Sequence, residues 1–115
     1  AGKVHLDLQG LETLDGLPEQ KILHLFRIVQ ELVNNTIKYA NANKVAIHFE
    51  KIMEDLYLTY VDDGIGFDLP TIKEGIGFTN IRTRLNVLGG KMEINSKENE
   101  GMKAKITIKI LEEHV

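Results

Sequence analysis

The sequence predicts an α+β fold: a two-layer sandwich in which helices pack on one face of a mixed, mostly antiparallel sheet. The predicted elements follow the order strand, long helix, hairpin, loop, helix, hairpin. Consecutive antiparallel strands combined with two helices are typical of such sandwiches. Apolar residues recur with helical period between residues 18 and 40, and they alternate with polar residues between residues 103 and 111.

The composition predicts one globular domain over residues 1–115, with 43% hydrophobic and 27% charged residues. The absence of cysteine excludes disulfide frameworks, thiolate zinc sites and cysteine nucleophiles. A net charge of −3, with acids and bases interspersed, argues against a nucleic-acid partner. No apolar run approaches the roughly 20 residues of a membrane helix. We therefore expect a cytoplasmic domain, which is also compatible with a longer parent protein that is anchored in a membrane.

The first predicted elements are a short strand and a long helix. Residues 4–8 alternate apolar and polar side chains, which predicts a half-buried strand. After a connection from Gly10 to Gly16, the sequence Leu17-Pro18-Glu19 opens a helix, because proline and an acid in the first turn are helix-start signals. One broad apolar face continues along this helix, and we expect it to end near Asn41 to Asn43.

A hairpin and a loop follow the long helix. Lys44 to Ile52 and Leu56 to Val61 alternate apolar and polar residues, and the turn Met53-Glu54-Asp55 joins them. The segment from Asp62 to Gly77 is rich in glycine and turn formers. It predicts a long irregular loop, and loops of this length are often functional.

A second helix and a second hairpin complete the chain. The helix is expected from Phe78 to Leu88, because helical spacing returns there and Gly89-Gly90 ends it. Strands are expected at residues 92–95 and 103–111, with a turn at residues 97–101. The isoleucines of the last strand should point inward.

The first candidate functional segment is ELVNNTIKYA, residues 31–40. Two consecutive Asn interrupt its helix, although Asn is a poor residue for a helix interior. Glu31, Asn35 and Lys38 would lie within a sector of roughly 60° on an α-helix. This face offers a carboxylate, an amide oxygen and an ammonium group. The alternative is the solvated face of an amphipathic helix, which does not explain the paired Asn.

The second candidate segment is DDGIGF, residues 62–67, directly after a predicted strand. Asp62, at the end of that strand, can direct its carboxylate into a cleft. Gly64 and Gly66 allow a ligand to approach the backbone closely. The alternative is a plain Asp-Gly turn. A calcium loop fits poorly, because Thr59 and Val61 would occupy ligand positions.

The third candidate segment is EGIGFTN, residues 74–80, just before the second predicted helix. Gly75 and Gly77 lie beside the free N–H groups of a helix start, which favour a phosphate group. The segment lacks the third glycine of the dinucleotide-binding fingerprint and does not follow a strand. Capping of the helix is therefore the alternative.

In their order along the chain, the three segments resemble the N, G1 and G2 boxes of the GHKL ATPase superfamily. This superfamily contains gyrase, the heat-shock chaperone ATPases, the MutL mismatch-repair proteins and the sensor histidine kinases. LFRIVQELVNNTIKYANANKV, VDDGIGFD and GIGFTNIRTRLNVLGGKMEI are most similar to the ATP-binding catalytic domain of sensor histidine kinases, in the branch of the nitrate sensors and DesK-like thermosensors. The resemblance covers roughly residues 18 to 111 and implies a sandwich of the Bergerat type.

The resemblance implies roles for the polar candidate residues. Asn35 corresponds to the Asn whose side-chain oxygen ligates Mg²⁺. Glu31 corresponds to the acid that acts as general base or holds a metal-bound water, and Lys38 to a basic residue near the phosphates. Asp62 corresponds to the Asp that accepts a hydrogen bond from the adenine amino group.

The resemblance also implies roles for the glycines, with ATP and Mg²⁺ as the cofactors. Gly64 and Gly66 correspond to the glycines that let the base lie against the chain. Gly75 and Gly77 correspond to the glycines whose N–H groups face the phosphates at the end of a lid. The segment from Asp68 to Glu74 would form this short ATP lid.

Two positions depart from the family pattern. Relatives often carry His after the Lys, where this chain has Tyr39. Near the last strand, relatives commonly read Gly-x-Gly-Thr, and that Thr supports the adenine-binding Asp. The corresponding run GMKA ends in Ala104, which has no hydroxyl. The support for Asp62 is therefore missing or comes from elsewhere.

The resemblance implies the catalytic domain of a histidine kinase, which binds Mg-ATP and donates the γ-phosphate to a histidine on a separate dimerisation domain. No histidine of this chain resembles the phosphoacceptor, so we expect the phosphoacceptor and dimerisation hairpin upstream of residue 1. The parent protein would be a homodimer that signals through a response regulator. Two other functions stay open: another ATPase or serine kinase of the same superfamily, and a degenerate nucleotide-binding scaffold domain.

Overall fold

A computed structural model describes residues 4–40, 42–64, 76–97 and 101–110 of the chain. These ranges contain five strands and two α-helices, together with a 3₁₀ turn (Leu11–Leu14) and a π-helical turn (Thr36–Ala40). The strands are β1 (His5–Gln9), β2 (Lys44–Ile52), β3 (Asp55–Asp62), β4 (Lys91–Lys97) and β5 (Gly101–Lys109). The helices are α1 (Glu19–Asn35) and α2 (Ile76–Leu88).

The strands form one sheet in the order β1-β2-β3-β5-β4. β1 runs parallel to β2, whereas all other neighbouring strands are antiparallel. The parallel pair follows from the connection between these strands, because α1 carries the chain back across the sheet. The prediction of a mixed, mostly antiparallel sheet is confirmed.

One face of the sheet is buried and the other is open. In β2, β3 and β5, alternate side chains are buried, because successive residues of a strand point to opposite faces. The strand pairing places these buried residues side by side on one face, where they form the core together with the helices. The opposite face carries exposed or partly exposed residues, among them His48, Thr59, Lys103 and Lys105. The predicted arrangement, with helices on one face only, is confirmed.

Each helix buries one apolar stripe. The buried side chains are Leu25, Ile28 and Leu32 of α1, and Ile81, Leu85 and Leu88 of α2. Their spacing of three and four residues is that of an α-helix with one buried side. α2 ends as predicted, at Gly89 with φ +66°, and the N–H of Gly90 donates to the carbonyl of Leu85 over 2.8 Å. In the described part of the chain, no helix has the length and apolar character needed to cross a membrane.

The starts of two elements are displaced by two residues from their predicted positions, and β4 ends at Lys97 rather than Asn95. α2 begins at Ile76 rather than Phe78. β5 begins at Gly101 rather than Lys103, because Gly101 and Met102 continue the antiparallel pairing with β4 and β3. This pairing brings Met102 opposite Asp62.

The prediction that the first strand is half-buried is wrong. Every residue of β1 is exposed, and Leu6 and Leu8 retain 44% and 47% of their accessible surface. Both residues pair with β2 at positions that are buried in β2, so they lie on the helix-facing side of the sheet. However, β1 is an edge strand, and a groove lined by Leu6, Leu23 and Phe26 separates it from α1. The alternating pattern therefore identifies the strand but not its degree of burial.

The sequence predicts that the helix ends near Asn41 to Asn43, and helical structure does continue as far as Ala40, but its last five residues are not regular α-helix. Regular α-helix ends at Asn35, and the chain continues as the π-helical turn from Thr36 to Ala40. At the junction, the N–H of Thr36 donates to the carbonyls of both Leu32 and Val33. Single π-helical turns inside helices occur frequently at functional sites.

Candidate functional site

The candidate site lies where the end of α1, the end of β3 and the start of β5 meet. Asp62 is the last residue of β3, and only 3% of its surface is exposed. It points to the helix-facing side, because its cross-strand partners Val45 and Met102 are both buried. The sequence pattern places a carboxylate on the core face at the point where the strand stops.

Three donors from the described part of the chain hold the Asp62 carboxylate. The backbone N–H groups of Gly64 and Met102 donate to Oδ1 over 3.0 and 3.2 Å. The hydroxyl of Thr36 donates to Oδ2 over 3.1 Å. Burying a carboxylate is costly unless hydrogen bonds replace its lost water. These donors provide that replacement from three different segments of the chain.

A buried hydroxyl network continues from Asp62 to the end of α1. Because Thr36 gives its one hydrogen to Asp62, the Tyr60 hydroxyl is the donor in the short hydrogen bond with Thr36 Oγ1, and it shares its hydrogen with the carbonyl of Leu32, 3.1 Å away. Thr36 and Tyr60 are completely buried. Burial raises the pKa of Tyr60 well above its usual value, although the hydrogen bond with Thr36 acts in the opposite direction. Tyr60 is therefore neutral at physiological pH and keeps its hydroxyl proton.

Gly101 allows β5 to approach the carboxylate. Its φ is +79°, and a Cβ built at this position would lie 2.3 Å from the carbonyl oxygen of Asp62. A side chain at residue 101 would therefore push β5 away from Asp62 and weaken the hydrogen bond from the Met102 N–H to Oδ1 of Asp62. Sequence reasoning placed residue 101 in a plain turn and missed this contribution. The available signal was the glycine itself, at the start of a strand.

The neighbouring Asp63 has a structural role. Its Oδ1 accepts the backbone N–H groups of Asn43 and Lys44 over 2.8 and 2.9 Å. These hydrogen bonds, that of Lys44 first, lower the pKa of the Asp63 carboxyl. Asp63 thus ties the end of β3 to the start of β2, whereas Asp62 faces the interior.

Asn35 and Asn34 differ in their surroundings, although they are adjacent. Asn35 is 92% buried, with 8% of its surface exposed, whereas Asn34 is exposed and lines the groove beside β1. The amide nitrogen of Asn35 is buried and has no hydrogen-bond partner among the described residues. A buried donor without a partner is uncommon and points to an additional acceptor supplied by a ligand.

The other two residues of the predicted helical face are less buried. Glu31 is partly buried and Lys38 is exposed. The expected alignment of Glu31, Asn35 and Lys38 assumed an α-helix throughout, but Lys38 belongs to the π-helical turn. The regular spacing therefore holds only between Glu31 and Asn35.

The side chain of Asn35 fits a magnesium site shared with a nucleotide. An amide oxygen is a hard ligand of the kind that Mg²⁺ prefers, and Mg²⁺ keeps several waters and shares phosphate oxygens with its substrate. The described residues contain no cluster of three or more His, Cys, Asp or Glu side chains that could hold a metal ion. A site built on one protein amide and a triphosphate needs no such cluster.

A second polar contact joins the two helices. Arg84 Nη1 of α2 lies 3.3 Å from Nδ1 of His24 on α1, and the Arg84 Nε is buried without a partner among the described residues. His24, interpreted from the sequence as a packing or surface residue, is partly buried at this contact. Because a guanidinium can only donate, His24 accepts through Nδ1.

Several predicted site residues lie outside the described residues. These are Gly66, Gly75 and the predicted lid from Asp68 to Glu74. Gly64 is described, and its N–H bonds to Asp62. Gly77 lies in the first turn of α2. The side chain of Tyr39 is likewise outside the described part.

Comparison with protein-family models gives one match over most of the chain. Residues 20–113 match the family described as "Histidine kinase-, DNA gyrase B-, and HSP90-like ATPase". The matched range includes all of α1 except Glu19, the whole of β3, and the buried polar residues Asn35, Thr36 and Asp62.

Curated relatives are sensor kinases that are much longer than this chain. The chain is 36% identical over 91 residues to the sensor histidine kinase ComP of Bacillus subtilis, a match that covers 76% of this chain and 12% of ComP. It is 33% identical over 111 residues to the signal transduction histidine-protein kinase/phosphatase DegS of Brevibacillus brevis, covering 96% of this chain and 29% of DegS. It is 38% identical over 91 residues to UhpB of Salmonella typhimurium, covering 79% of this chain and 18% of UhpB.

The fold also matches solved structures. The histidine kinase domain of the blue-light activated histidine kinase EL346 from Erythrobacter litoralis superposes with a TM-score of 0.78, at 20% sequence identity. The match covers 96% of this chain and 53% of that chain. At this identity the superposition shows a common fold.

Proposed function

Because this chain belongs to the family of histidine kinase-, DNA gyrase B- and HSP90-like ATPases, as the ATP-binding catalytic domain of a histidine kinase, we propose that it binds Mg-ATP and donates the γ-phosphate to a histidine on a separate dimerisation domain. The observation that carries the proposal is the buried Asp62 carboxylate, which three donors hold at the end of β3. Phosphoryl transfer depends mainly on positioning the nucleotide and neutralising its charge.

Asp62 provides the adenine contact in this proposal. An ionised carboxylate has about four acceptor positions, two on each oxygen. Among the described residues, two donors occupy Oδ1 and one occupies Oδ2. One acceptor position on Oδ2 is therefore left for the exocyclic amino group of adenine. Gly64, whose N–H bonds to Asp62, carries no side chain that would keep the base away from the backbone.

Asn35 would hold Mg²⁺ through its side-chain oxygen, and the ion would supply positive charge that neutralises the phosphates. Glu31 lies one helical turn before Asn35 and assists as general base or holds a metal-bound water. Lys38 contributes a positive charge near the phosphates from the π-helical turn. The phosphate and lid contacts would be completed by Gly77, Gly75, Gly66 and the segment from Asp68 to Glu74. The amide nitrogen of Asn35, which is buried and has no partner among the described residues, is a donor that cannot bind a cation, and it would donate to a phosphate oxygen while the side-chain oxygen faces the metal.

The rest of the proposal concerns the parent protein. The chain spans less than a third of ComP, DegS and UhpB. We propose that it is a single catalytic domain, that a phosphoacceptor and dimerisation hairpin precedes it in a homodimeric parent, and that a response regulator receives the phosphate. The domain would operate in the cytoplasm, in a parent protein that is either free or anchored in a membrane.

The test compares two adjacent asparagines. Asn35→Ala should abolish the Mg²⁺-dependent part of ATP binding in isothermal titration calorimetry, because it removes the amide oxygen. Asn34→Ala is the matched control: the same substitution one residue earlier, on an exposed side chain, should bind Mg-ATP like the unchanged chain.

The outcomes separate the candidate functions. Binding of Mg-ATP by the unchanged chain, with transfer of label to an added phosphoacceptor domain, supports the histidine kinase. Binding and hydrolysis without any transfer indicates another ATPase of the family. No binding, and no increase in the melting temperature at millimolar Mg-ATP, indicates a scaffold domain. Equal Mg-ATP affinity of Asn35→Ala and Asn34→Ala refutes the metal assignment.

A further inference from the structure

We propose that Thr36 is a positioning residue for nucleotide specificity: its hydroxyl, held by Tyr60, orients the Asp62 carboxylate for the adenine amino group. The proposal rests on the proposed function, since it concerns the same nucleotide site. It extends that function by assigning a role to Thr36 and Tyr60, two residues that the sequence analysis did not single out.

The position of the carboxylate plane depends on Thr36. The two donors on Oδ1 are backbone N–H groups, which fix only one oxygen of Asp62. Rotation of an aspartate carboxylate about its last bond has a broad, roughly two-fold preference. Among the described residues, the Thr36 hydroxyl is the only donor to Oδ2. It therefore determines where the free acceptor position of Oδ2 points.

Thr36 is itself held rigidly. It is completely buried, and a β-branched side chain has few χ1 rotamers available. Its hydroxyl contacts Tyr60, which is anchored to the carbonyl of Leu32 at the end of α1. Tyr60 and Asp62 point to the same face of β3, because they are two residues apart. The hydroxyl network thus joins the helix end to the strand end.

The neighbouring strand β5 has no hydroxyl group opposite Tyr60 that could contact Asp62. Ala104 of β5 is the direct cross-strand partner of Tyr60, is completely buried and carries no hydroxyl. In a direct cross-strand pair the Cβ atoms are about 5 Å apart, so the small Ala104 leaves room for the Tyr60 ring. In this chain the hydroxyl contact to Asp62 therefore comes from the helix rather than from β5.

Two adjacent residues of the chain, Asn35 and Thr36, are assigned to opposite ends of the nucleotide. Thr36, which orients the base-binding carboxylate, directly follows Asn35, to which we assign the metal. The π-helical turn begins at Thr36, so the break in regular helix occurs at the residue whose hydroxyl reaches Asp62. A substitution of Thr36 should therefore reduce the preference for adenine more than it weakens binding of the phosphates.

The experiment uses the 115-residue chain and two nucleotides that differ in the base. ADP carries the exocyclic amino group, whereas IDP lacks it. With Mg²⁺ present, Thr36→Val should weaken ADP binding about tenfold, the size expected for one hydrogen bond to a charged group. IDP binding should change by less than about twofold. Tyr60→Phe should have a smaller effect, because Thr36 keeps its hydrogen bond to Asp62 and loses only the Tyr60 hydroxyl that holds it in place.

Matched variants separate positioning from stability. Thr59→Val makes the same change on the open face of β3 and should leave both affinities unchanged. Thr36→Ser should retain the preference for ADP, and Thr36→Ala should lose it. Thr36→Ser and Thr36→Ala differ in the hydroxyl oxygen alone, so this pair tests the proposal if Thr36→Val does not fold.

Two results would overturn the proposal. If Thr36→Val, or Thr36→Ala in its place, keeps the ADP preference of the unchanged chain, Thr36 does not position Asp62. An equal loss of ADP and IDP affinity also overturns the proposal, because it indicates a purely structural role. If the unchanged chain binds neither nucleotide, or binds both equally, the adenine assignment of Asp62 fails instead.

Discussion

Replacing Gly101 with alanine should destabilise the fold far more than replacing Gly89 with alanine. Both glycines have a positive φ, +79° and +66°, so each substitution carries the left-handed penalty of roughly 1–2 kcal/mol. The Cβ positions differ in their surroundings. A Cβ built at Gly89 would have no atom of the described residues within 4 Å beyond its chain neighbours, whereas a Cβ built at Gly101 would lie 2.3 Å from the carbonyl oxygen of Asp62. Gly89→Ala is therefore a matched control for backbone strain.

The additional loss at Gly101 follows from the hydrogen bond that the clash disturbs. Relieving a contact of 2.3 Å requires β5 to move away from Asp62, which lengthens the bond between the Met102 N–H and Oδ1. A hydrogen bond to a charged group is worth roughly 1.5–3 kcal/mol. We therefore expect Gly101→Ala to lower the free energy of unfolding by roughly 3–5 kcal/mol, and Gly89→Ala by only about 1–2 kcal/mol.

Urea denaturation of both variants at 25 °C, followed by circular dichroism, measures this difference. With a domain of this size, a loss of 3–5 kcal/mol corresponds to a fall in melting temperature of roughly 12–20 °C. Equal destabilisation of the two variants would refute the argument that β5 approaches Asp62 too closely for any side chain at residue 101.

Two further predictions test the fold around the site. Asp63→Asn should lower the melting temperature at neutral pH, because the Asp63 carboxylate, whose pKa lies below its ordinary 3.8, accepts the backbone N–H groups of Asn43 and of Lys44 at the start of β2. Since the pKa is lower in the folded chain, this stabilisation is present above pH 3.8 and is lost as the pH falls through the folded pKa; a gap in melting temperature that persists at strongly acid pH would contradict this. Phe49→Ala, at a fully buried position, should reduce the free energy of unfolding by about 3–5 kcal/mol. Phe26→Ala, at an exposed position, should reduce it by less than about 1 kcal/mol, and similar losses for both variants would disprove the assigned core.

The regular elements were predictable because their signals are local. β2 spans Lys44 to Ile52 in both the prediction and the structure, since strict alternation and the following turn define a strand without reference to other segments. The second helix also ends where Gly89 predicts. The exposure of Leu6 and Leu8 could not be predicted in this way. It depends on the distance between α1 and an edge strand, which periodicity does not report.

The candidate site was predictable in part. Asp62 was identified as a strand-end carboxylate from its position before a Gly turn, and the structure places it there, buried and hydrogen-bonded. Thr36 was missed because its partner Asp62 is 26 residues away in the chain. The π-helical turn, the close approach of Gly101 and the replacement for the hydroxyl missing at Ala104 all depend on that same long-range packing.

The most direct test of the central claim is a crystal structure of the chain with Mg²⁺ and a non-hydrolysable ATP analogue. We expect the adenine amino nitrogen to lie about 3 Å from Oδ2 of Asp62, with the hydroxyl of Thr36 still bound to the same oxygen. The side-chain oxygen of Asn35 should coordinate the metal ion. A nucleotide bound elsewhere, with Asp62 making only its present three contacts and Asn35 away from the metal, would contradict the account.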